Sequence, residues 1–367
     1  MTEILLEQLN NQDLLWIKKN GAKQEVRAGE TLIQQKTIVD RLYIIINGEF
    51  TATIARNSGS ILGQAFAALE DDSELEQEIA RLGNGEIIGE MSFLDISPAA
   101  NTYTALRDSV VLGISSQQLR TKLSEDLGFA ARFYRVIALL LGDRFQRLVN
   151  IYLRRRLGQI NPLQDVPMLF GELKDSDVDW MLHQGYLQQF PPGEVIIQVD
   201  RQVENLYIVL QGTLSLAVSE PKRNRLGSIF AALEQEEEKA ELGREIAKIV
   251  PGEIVGEVAA FDSYLSRVTL TTLENSLLLV IPRHKLLIKL QQDPAMAARF
   301  YRVVAIILSG RLQGLISRLG FGKGSYQFGQ TLAADVEYED EIDLSVMDNL
   351  TLGGARFDWM LKRLQVS

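Results

Sequence analysis

The chain has 367 residues, of which 46% are hydrophobic and 23% are charged, and it carries a net charge of −10 and no cysteine. This length is too great for one ordinary core and suits two domains, and the composition is that of a globular protein rather than a disordered one. The lack of cysteine excludes disulfides and thiolate metal sites and fits a reducing cytoplasm, while the negative charge argues against broad nucleic-acid binding. We expect a soluble, cytoplasmic protein of two domains.

The first residues and the apolar runs give no sign of secretion or membrane insertion. The start, MTEILLEQLNNQD, has neither the basic region nor the apolar core of a signal peptide. The longest apolar runs are VIALLLG at 136–142 and VVAIIL at 303–308. Both are far shorter than the roughly 20 apolar residues of a transmembrane helix. We therefore expect no membrane association.

The chain repeats its own sequence. RLYIIINGEF at 41–50 matches NLYIVLQGTL at 205–214, an offset of 164. From GEIIGEM at 85–91 onward the offset is 167, and it remains so through the two copies of RFYRV, which begin at Arg132 and Arg299. A register kept over roughly 130 residues indicates a duplicated domain, with a three-residue insertion in the second copy.

Each copy is predicted to contain a helix, many short strands and then a long helix. The runs LYIIINGEF, EIIGEM, TYTAL and SVVLGIS are rich in β-branched residues and are separated by Gly turns, a pattern typical of short antiparallel strands in a small barrel or jelly roll. Apolar periodicity predicts long helices at 129–153 and 296–319. The segments 61–79 and 226–249 are rich in Ala, Leu and Glu, and we interpret them as helical insertions in the barrels.

The last 48 residues differ from both copies. They contain a Gly-rich linker, the acidic run DVEYEDEIDLSVMDN and the amphipathic segment GGARFDWMLKRLQ. An acidic run is typical of a solvated segment, whereas an apolar helix beyond it is a candidate docking element for a partner. The predicted domains are 1–156, 164–319 and this tail, 320–367.

Three stretches carry a resemblance to a known family: AGETLI at 28–33, LYIIINGEF at 42–50 and GEIIGEMSFLDISPAANTYTA at 85–105. With their counterparts in the second copy, they resemble the cyclic nucleotide-binding domain of bacterial catabolite activators and of the protein kinase A regulatory subunit. The resemblance covers nearly all of residues 10–319. It implies an α+β fold of two tandem β jelly rolls, each with a helical insertion and a long C-terminal helix that mediates dimerisation.

The resemblance also implies a ligand-binding cassette in each copy. In the family, the Glu of a Gly-Glu pair accepts a ribose hydroxyl, and an Arg further along binds the cyclic phosphate. The pairs that match are Gly89 with Glu90 and Gly256 with Glu257.

The phosphate-binding Arg differs between the copies. The first copy has Ala99 and Ala100 where family members carry it, and the second has Arg267, displaced by one position. The loss of a buried guanidinium contact costs on the order of 2–5 kcal/mol. We therefore expect the first copy not to bind cyclic AMP in the family's usual way.

The long helices are rich in arginine. On a helix of about 100° per residue, Arg144 and its counterpart Arg311 fall on the apolar face, where a charge needs an anionic partner. That partner is either an acid of the barrel or insertions or an anionic ligand between helices, and the other arginines also have the option of extending to solvent. The candidate residues are Arg132, Arg135, Arg144, Arg147, Arg154, Arg155 and Arg156 in the first copy and Arg299, Arg302 and Arg311 in the second.

Guanidinium groups stack on bases, chelate phosphates and bind the guanine edge. Cyclic di-GMP offers two guanines and two phosphates, and its two-fold symmetry suits a helix-mediated homodimer. The chain also resembles cyanobacterial tandem proteins of this family, which implies a cyclic di-GMP receptor. We predict this ligand at a domain or dimer interface. A cyclic AMP or cyclic GMP receptor using the second jelly roll, and a ligand-free dimeric scaffold, remain alternatives.

The sequence offers no sign of catalysis or of direct DNA binding. No helix-turn-helix segment follows either copy, and the tail is acidic, so we expect output through a protein partner such as a transcription regulator. The two histidines, His183 and His284, lie outside the cassettes, and there is no Walker loop or G-x-S-x-G elbow. We predict no enzyme activity, no catalytic residue, no metal site and no cofactor beyond the nucleotide ligand.

Overall fold

The computed structural model describes residues 2–55, 76–95, 98–154, 168–218, 244–257, 265–266, 268–318 and 344–366. The chain forms two compact units. The first comprises Met1–Tyr152 and Ala297–Ile342, and the second comprises Leu153–Met296 and Asp343–Ser367. Most of the long helix that ends the second sequence copy therefore belongs to the first unit.

The first unit contains the first jelly roll, preceded by helices α1 (Thr2–Gln8) and α2 (Asn11–Asn20). Its described strands are β1 (Ala22–Val26), β2 (Thr31–Ile33), β3 (Arg41–Asn47), β4 (Phe50–Ala55), β5 (Glu76–Leu82), β6 (Ile87–Ile88), β7 (Thr102–Ala105) and β8 (Ser109–Ser115). They form two antiparallel sheets, ordered β1-β8-β3-β6 and β2-β7-β4-β5. The predicted jelly roll is confirmed.

The second unit repeats this arrangement. Its described strands are β9 (Tyr186–Phe190), β10 (Val195–Ile197), β11 (Asn205–Gln211), β12 (Leu214–Val218), β13 (Arg244–Ile249), β14 (Ile254–Val255), β15 (Thr269–Thr272) and β16 (Ser276–Pro282). The sheet orders β9-β16-β11-β14 and β10-β15-β12-β13 are those of the first jelly roll, strand for strand.

Irregularities of strand pairing are duplicated too. The register of β3 shifts between Ile45 and Asn47, and that of β11 shifts between Val209 and Gln211, 164 positions later. A bulge changes which side chains face the core, so the same bulge in both copies keeps the same residues inside. The duplication therefore extends to the backbone geometry.

Three further helices belong to the first sequence copy. They are α3 (Glu90–Asp95), α4 (Ser116–Glu125) and α5 (Leu127–Arg154). Those that follow are α6 (Met168–Glu172), α7 (Asp175–Gln184), α8 (Arg283–Gln292), α9 (Pro294–Arg318) and α10 (Leu344–Arg363). The predicted long helices correspond to α5 and α9. Each begins after an aspartate whose carboxylate accepts a backbone N–H of the first turn, from Phe129 to Asp126 and from Met296 to Asp293.

The predicted helical insertions are wrong where the structure describes them. Residues 76–79 belong to β5, and 244–249 form β13. These ends pair with β4 and β12, and Thr51 donates a hydrogen bond to Glu78 of the neighbouring strand at 2.9 Å. The rest of both segments lies outside the described residues.

The last helix, α10, packs on its own unit. It begins within the predicted acidic run, at Leu344, and places Phe357 against Phe170 of α6 with ring centroids 5.7 Å apart. Met360 is fully buried. The apolar face predicted for a partner is thus covered at these residues by the chain itself. Its apolar members in the sequence were Phe357, Trp359, Met360, Leu361 and Leu364, of which Trp359 remains exposed.

Helix α9 spans 25 residues and α5 spans 28. Neither these nor any other helix among the described residues is both long and apolar enough to cross a bilayer.

Candidate functional site

The Gly-Glu pair of the first copy lies where β6 turns into α3. Gly89 has a φ of +91°, a left-handed conformation that strongly favours glycine, and a Cβ there would lie 3.1 Å from the carbonyl oxygen of Arg41. The following residue, Glu90, is completely buried. The sequence pattern therefore produces a tight turn that places one carboxylate inside the jelly roll.

Arg144 of α5 forms an ion pair with that carboxylate. Its Nη1 donates to Oε1 of Glu90, and its Nη2 donates to the carbonyl oxygen of Ile87 at 2.6 Å. Burial, the largest single influence, works to lower the pKa of Arg144, but the charges of Glu90, Tyr103 and Glu86 and the hydrogen bond to Glu90 together raise it. The Arg144 guanidinium is thus bonded to the Glu90 carboxylate, the group that accepts a ribose hydroxyl according to the family resemblance.

A cavity of about 20 Å³ remains beside the pair. It is lined by Ala52, Ile79, Ala80, Leu82, Met91, Asn101, Tyr103, Arg144, Leu148, Leu312 and Ile316. A cavity must provide at least about 10–15 Å³ to hold a single water molecule, and pockets for small ligands measure about 300–1,000 Å³. This cavity has room for about one water molecule and none for a nucleotide.

The polar lining of the cavity is incompletely hydrogen-bonded. The amide of Asn101 donates to the hydroxyl of Tyr103 at 3.5 Å. Burial, reinforced by the charge of Glu90, raises the pKa of Tyr103 to about 12. Among the described residues, Oε2 of Glu90, Nε of Arg144 and Oδ1 of Asn101 have no hydrogen-bond partner although they are buried.

Two other arginines of α5 contact acids of their own unit. Arg132 binds Asp13 of α2 through Nε and Nη2, at 2.6 and 2.9 Å. Arg147 contacts Asp143 on the same helix and donates to Glu86 at 3.1 Å. For these two residues and for Arg144, the structure supplies the internal carboxylate that the sequence analysis held open as an alternative to a ligand.

The two RFYRV motifs meet in the first unit. The guanidinium of Arg135, from the first motif, lies over the ring of Tyr301, from the second, with 5.7 Å between its Cζ and the ring centroid. Arg302, which follows Tyr301 on α9, acts electrostatically on Arg120 of α4. Burial lowers the pKa of Arg120, Tyr134 opposes the change, and the charge of Arg302 lowers it further.

Arg120 was absent from the predicted site residues. Its Nη2 donates to the carbonyl oxygen of Phe93 at 2.5 Å, and its Cζ lies 4.4 Å from the centroid of the Phe93 ring, so it joins α4 to the cassette helix α3. The second copy has Leu287 at the corresponding position. This difference between two otherwise similar copies was the one feature of the sequence that pointed to Arg120. We call Arg120, Arg135 and Arg302, with Tyr134 and Tyr301, the guanidinium cluster.

The second cassette is described only at its start. Gly256 has a φ of +79°, and a Cβ there would lie 2.5 Å from the carbonyl oxygen of Asn205; Glu257 is buried. A groove of about 480 Å³ lies nearby and is lined by Val195, Ile196, Ile197, Gln198, Arg201, Gln202, Val203, Glu204 and Tyr207. Two of these residues, Val203 and Tyr207, also lie within 3.3 Å of the Gly256 Cβ position.

Several predicted residues are described in part or not at all. Arg299 and Arg302 are half-buried on α9, and Arg311 is buried. Arg154 is the last residue of α5, and its side chain is outside the described part, as are Arg155, Arg156 and Arg267. No group of three His, Asp or Glu side chains suited to a metal ion occurs among the residues that the structure describes.

Several solved structures are similar to this chain. The regulatory domain of Toxoplasma gondii PKA with cAMP has 15% identity and a TM-score of 0.27, covering 80% of this chain and 89% of its own. The regulatory subunit of a cAMP-independent protein kinase A from Trypanosoma cruzi bound to guanosine has 15% identity, a TM-score of 0.26 and coverages of 80% and 85%. A cyclic nucleotide-binding domain from Methylobacillus flagellatus KT has 20% identity, a TM-score of 0.36 and coverages of 43% and 85%.

No curated protein matches the chain. The family described as the cyclic nucleotide-binding domain matches twice, at residues 23–126 and 187–293. These two matches cover more than half of the sequence and coincide with the two jelly rolls. The chain therefore belongs to the cyclic nucleotide-binding domain family and carries two such domains in tandem.

Proposed function

We propose that this chain is a non-enzymatic, cytoplasmic second-messenger receptor that binds cyclic di-GMP through the arginines of α5 and α9. It acts as a homodimer and passes the signal to a protein partner such as a transcription regulator. Membership of a nucleotide-binding family supports a receptor role. The choice of ligand rests on the chemistry of the arginines.

The observation that carries the proposal is the meeting of Arg135 with Tyr301. It brings the two copies of one Arg-bearing motif into the same unit, beside the Arg120 and Arg302 pair. Positive charges that act on one another favour the binding of an anion, and guanidinium groups and tyrosine rings both stack on nucleobases. A cyclic dinucleotide supplies two phosphates and two bases, which matches the guanidinium cluster.

The other predicted arginines take different roles in this proposal. Arg299 precedes the second motif's aromatic pair and is the next candidate for a phosphate contact. Because Arg132, Arg144 and Arg147 hold carboxylates of the chain, they position α5. Contacts from Arg154, Arg155, Arg156 and Arg311 would add to the same site.

A second candidate function has its own observation. The groove of about 480 Å³ adjoins Gly256 in the second jelly roll. A cyclic mononucleotide, cyclic AMP or cyclic GMP, would place its ribose hydroxyl on Glu257 and its phosphate on Arg267, as the family pattern implies. This function uses the second domain alone.

Calorimetric titration of the full chain separates these functions. Cyclic di-GMP, cyclic AMP and cyclic GMP are each titrated in one buffer at one salt concentration, because charge-driven binding weakens with salt. We expect micromolar or tighter binding of cyclic di-GMP alone. Binding of a mononucleotide that is lost in Glu257→Ala would replace the proposal with the second candidate, and no heat from any nucleotide would favour a ligand-free scaffold.

A further inference from the structure

The binding pocket of the first jelly roll is filled by a side chain of the same unit. Glu90 is 0% exposed, and Arg144, which reaches it from 54 positions along the chain, is 6% exposed. The cation also donates to the backbone at Ile87, so it is attached at two points of the cassette. A positive group therefore occupies the carboxylate that, in the family pattern, accepts a ribose hydroxyl.

Both long helices close this pocket. Leu148 of α5 and the pair Leu312 and Ile316 of α9 line the remaining cavity of about 20 Å³. The Cδ1 of Leu308 lies 3.8 Å from the Cβ position of Gly142, so the same two helices are also in close contact one turn earlier. An incoming nucleotide would have to displace the guanidinium and separate apolar side chains of two helices.

The ion pair is a poor way to gain stability. Taking both charges out of water costs much of what their attraction returns, and apolar residues of similar volume are often equally stable or better. Here three buried polar atoms, one on each of Glu90, Arg144 and Asn101, also lack hydrogen bonds within the described residues. An incompletely satisfied buried network of this kind points to a role other than stability.

We propose that Arg144 is a built-in occupant of the first jelly roll, which holds Glu90 and keeps this pocket closed to cyclic nucleotides. The closed first jelly roll then fixes α5 and α9, and ligand recognition takes place outside this pocket. The loss of the cassette arginine at Ala99 and Ala100 is consistent with this division, because a closed pocket has no phosphate to bind. The inference does not depend on which nucleotide the receptor recognises.

The proposal is tested by opening the pocket. In a Glu257→Ala background, which silences the second cassette, we compare the parent chain with Arg144→Met combined with Ala100→Arg. The first change removes the occupant, and the second restores an arginine at the position that corresponds to Arg267. The probe is cyclic AMP, followed by calorimetry, and near-ultraviolet circular dichroism checks that each variant is folded.

We expect no binding of cyclic AMP to the parent at millimolar concentration. The opened variant should bind with a Kd at least roughly tenfold below that concentration, and this binding should be lost when Glu90→Gln is added. Parent binding that Glu90→Gln abolishes would overturn the proposal. A folded, opened variant that still binds nothing would do so as well.

Stability gives a second, independent measurement. The single variants Arg144→Met and Glu90→Gln each leave one buried charge without its counter-charge, whereas the double variant carries neither charge. We expect each single change to lower the urea midpoint and the double change to recover most of that loss. Additive losses in the double variant would show that the two side chains do not act as a pair, which contradicts the proposal.

Discussion

Arg132 binds the carboxylate of Asp13 with two hydrogen bonds, Nε to Oδ2 at 2.6 Å and Nη2 to Oδ1 at 2.9 Å, across 119 positions of the chain. Asp13 also accepts the backbone N–H of Asn10, which completes a capping box at the start of α2. One carboxylate therefore caps the start of α2 and attaches this helix to α5. The first arginine of the first RFYRV motif has a structural partner.

We predict that Asp13→Ala lowers the free energy of unfolding by about 2–3 kcal/mol, because it removes both a cap and a charged hydrogen-bonded pair. Arg132→Lys should cost less, since the side chain is 35% exposed and an ammonium keeps the charge but not the two-point geometry. Urea denaturation measures both. An Asp13→Ala loss below about 0.5 kcal/mol, the level of an ordinary surface substitution, would contradict this account of the pair.

The cap of α5 predicts a pH dependence. The hydrogen bond from Lys122 lowers the pKa of Asp126, and the backbone N–H of Phe129 lowers it further. A carboxyl whose folded pKa lies below its unfolded value of about 3.9 contributes stability above that value, and loses it as the pH falls through the folded pKa. The wild type should therefore lose stability to acid in that range more steeply than Asp126→Asn.

Asp126→Asn is a matched control, because asparagine caps a helix about as well as aspartate but does not titrate. Asp126→Ala should cost about 1 kcal/mol at neutral pH through the lost cap. Thermal unfolding of the three proteins between pH 2.5 and 7 provides the test. Parallel pH profiles for the wild type and Asp126→Asn would refute the assigned direction of the pKa shift.

The docking of α10 depends on Arg356. Its guanidinium donates to the carbonyl oxygens of Phe170, at 2.8 Å, and of Leu173, at the end of α6, and to Asp175 at 2.7 Å. We predict that Arg356→Ala weakens the attachment of α10 by about 2–3 kcal/mol, since a hydrogen bond from a charged donor contributes about 1.5–3 kcal/mol. Amide hydrogen exchange in α10 and α6 should accelerate accordingly.

Arg363 offers a comparison on the same helix. It lies 3.2 Å from Asp179 and is 48% exposed, and exposed ion pairs contribute only about 0–1 kcal/mol. Arg363→Ala should therefore leave the exchange of α10 nearly unchanged. Equal acceleration in the two variants would mean that the contacts of Arg356 with α6 do not hold the helix.

The turn at Gly256 predicts a backbone effect. A methyl group there would lie 2.5 Å from the carbonyl oxygen of Asn205, and its φ is +79°. Gly29 has a similar φ of +81° with no atom near its Cβ position, so Gly29→Ala measures the conformational strain alone. We predict that Gly256→Ala is destabilising by about 1–2 kcal/mol more than Gly29→Ala. Chemical denaturation of both variants measures the two losses of stability. Equal losses would contradict the close approach of the Asn205 carbonyl oxygen to Gly256.

The fold was largely predictable from local signals. Strand β3 follows from a β-branched run that ends at Gly48, and β8 follows from the run SVVLGIS. The sequence offset between the copies transfers each assignment from one to the other. The ends of the predicted insertions were misread, because short segments such as EQEIARL contain residues that favour helices, whereas pairing with β4 determines their structure.

The site was less predictable, because its contacts join distant positions. Helical periodicity placed Arg144 on the apolar face and required an anionic partner, but it did not identify Glu90. Arg120 resembled an ordinary surface arginine of a polar helix until its contact with Phe93 was known. Sequence patterns report which face a residue occupies, and tertiary packing determines which group it meets.

The central claim is that the guanidinium cluster, and not a jelly-roll pocket, binds cyclic di-GMP. The most direct test is calorimetric titration of cyclic di-GMP into the wild type, into Arg135→Ala combined with Arg302→Ala, and into Glu257→Ala. The account predicts roughly 100-fold weaker binding in the double variant, from two lost charged contacts, and no change in Glu257→Ala. Wild-type affinity in the double variant, or loss of binding in Glu257→Ala, would contradict it.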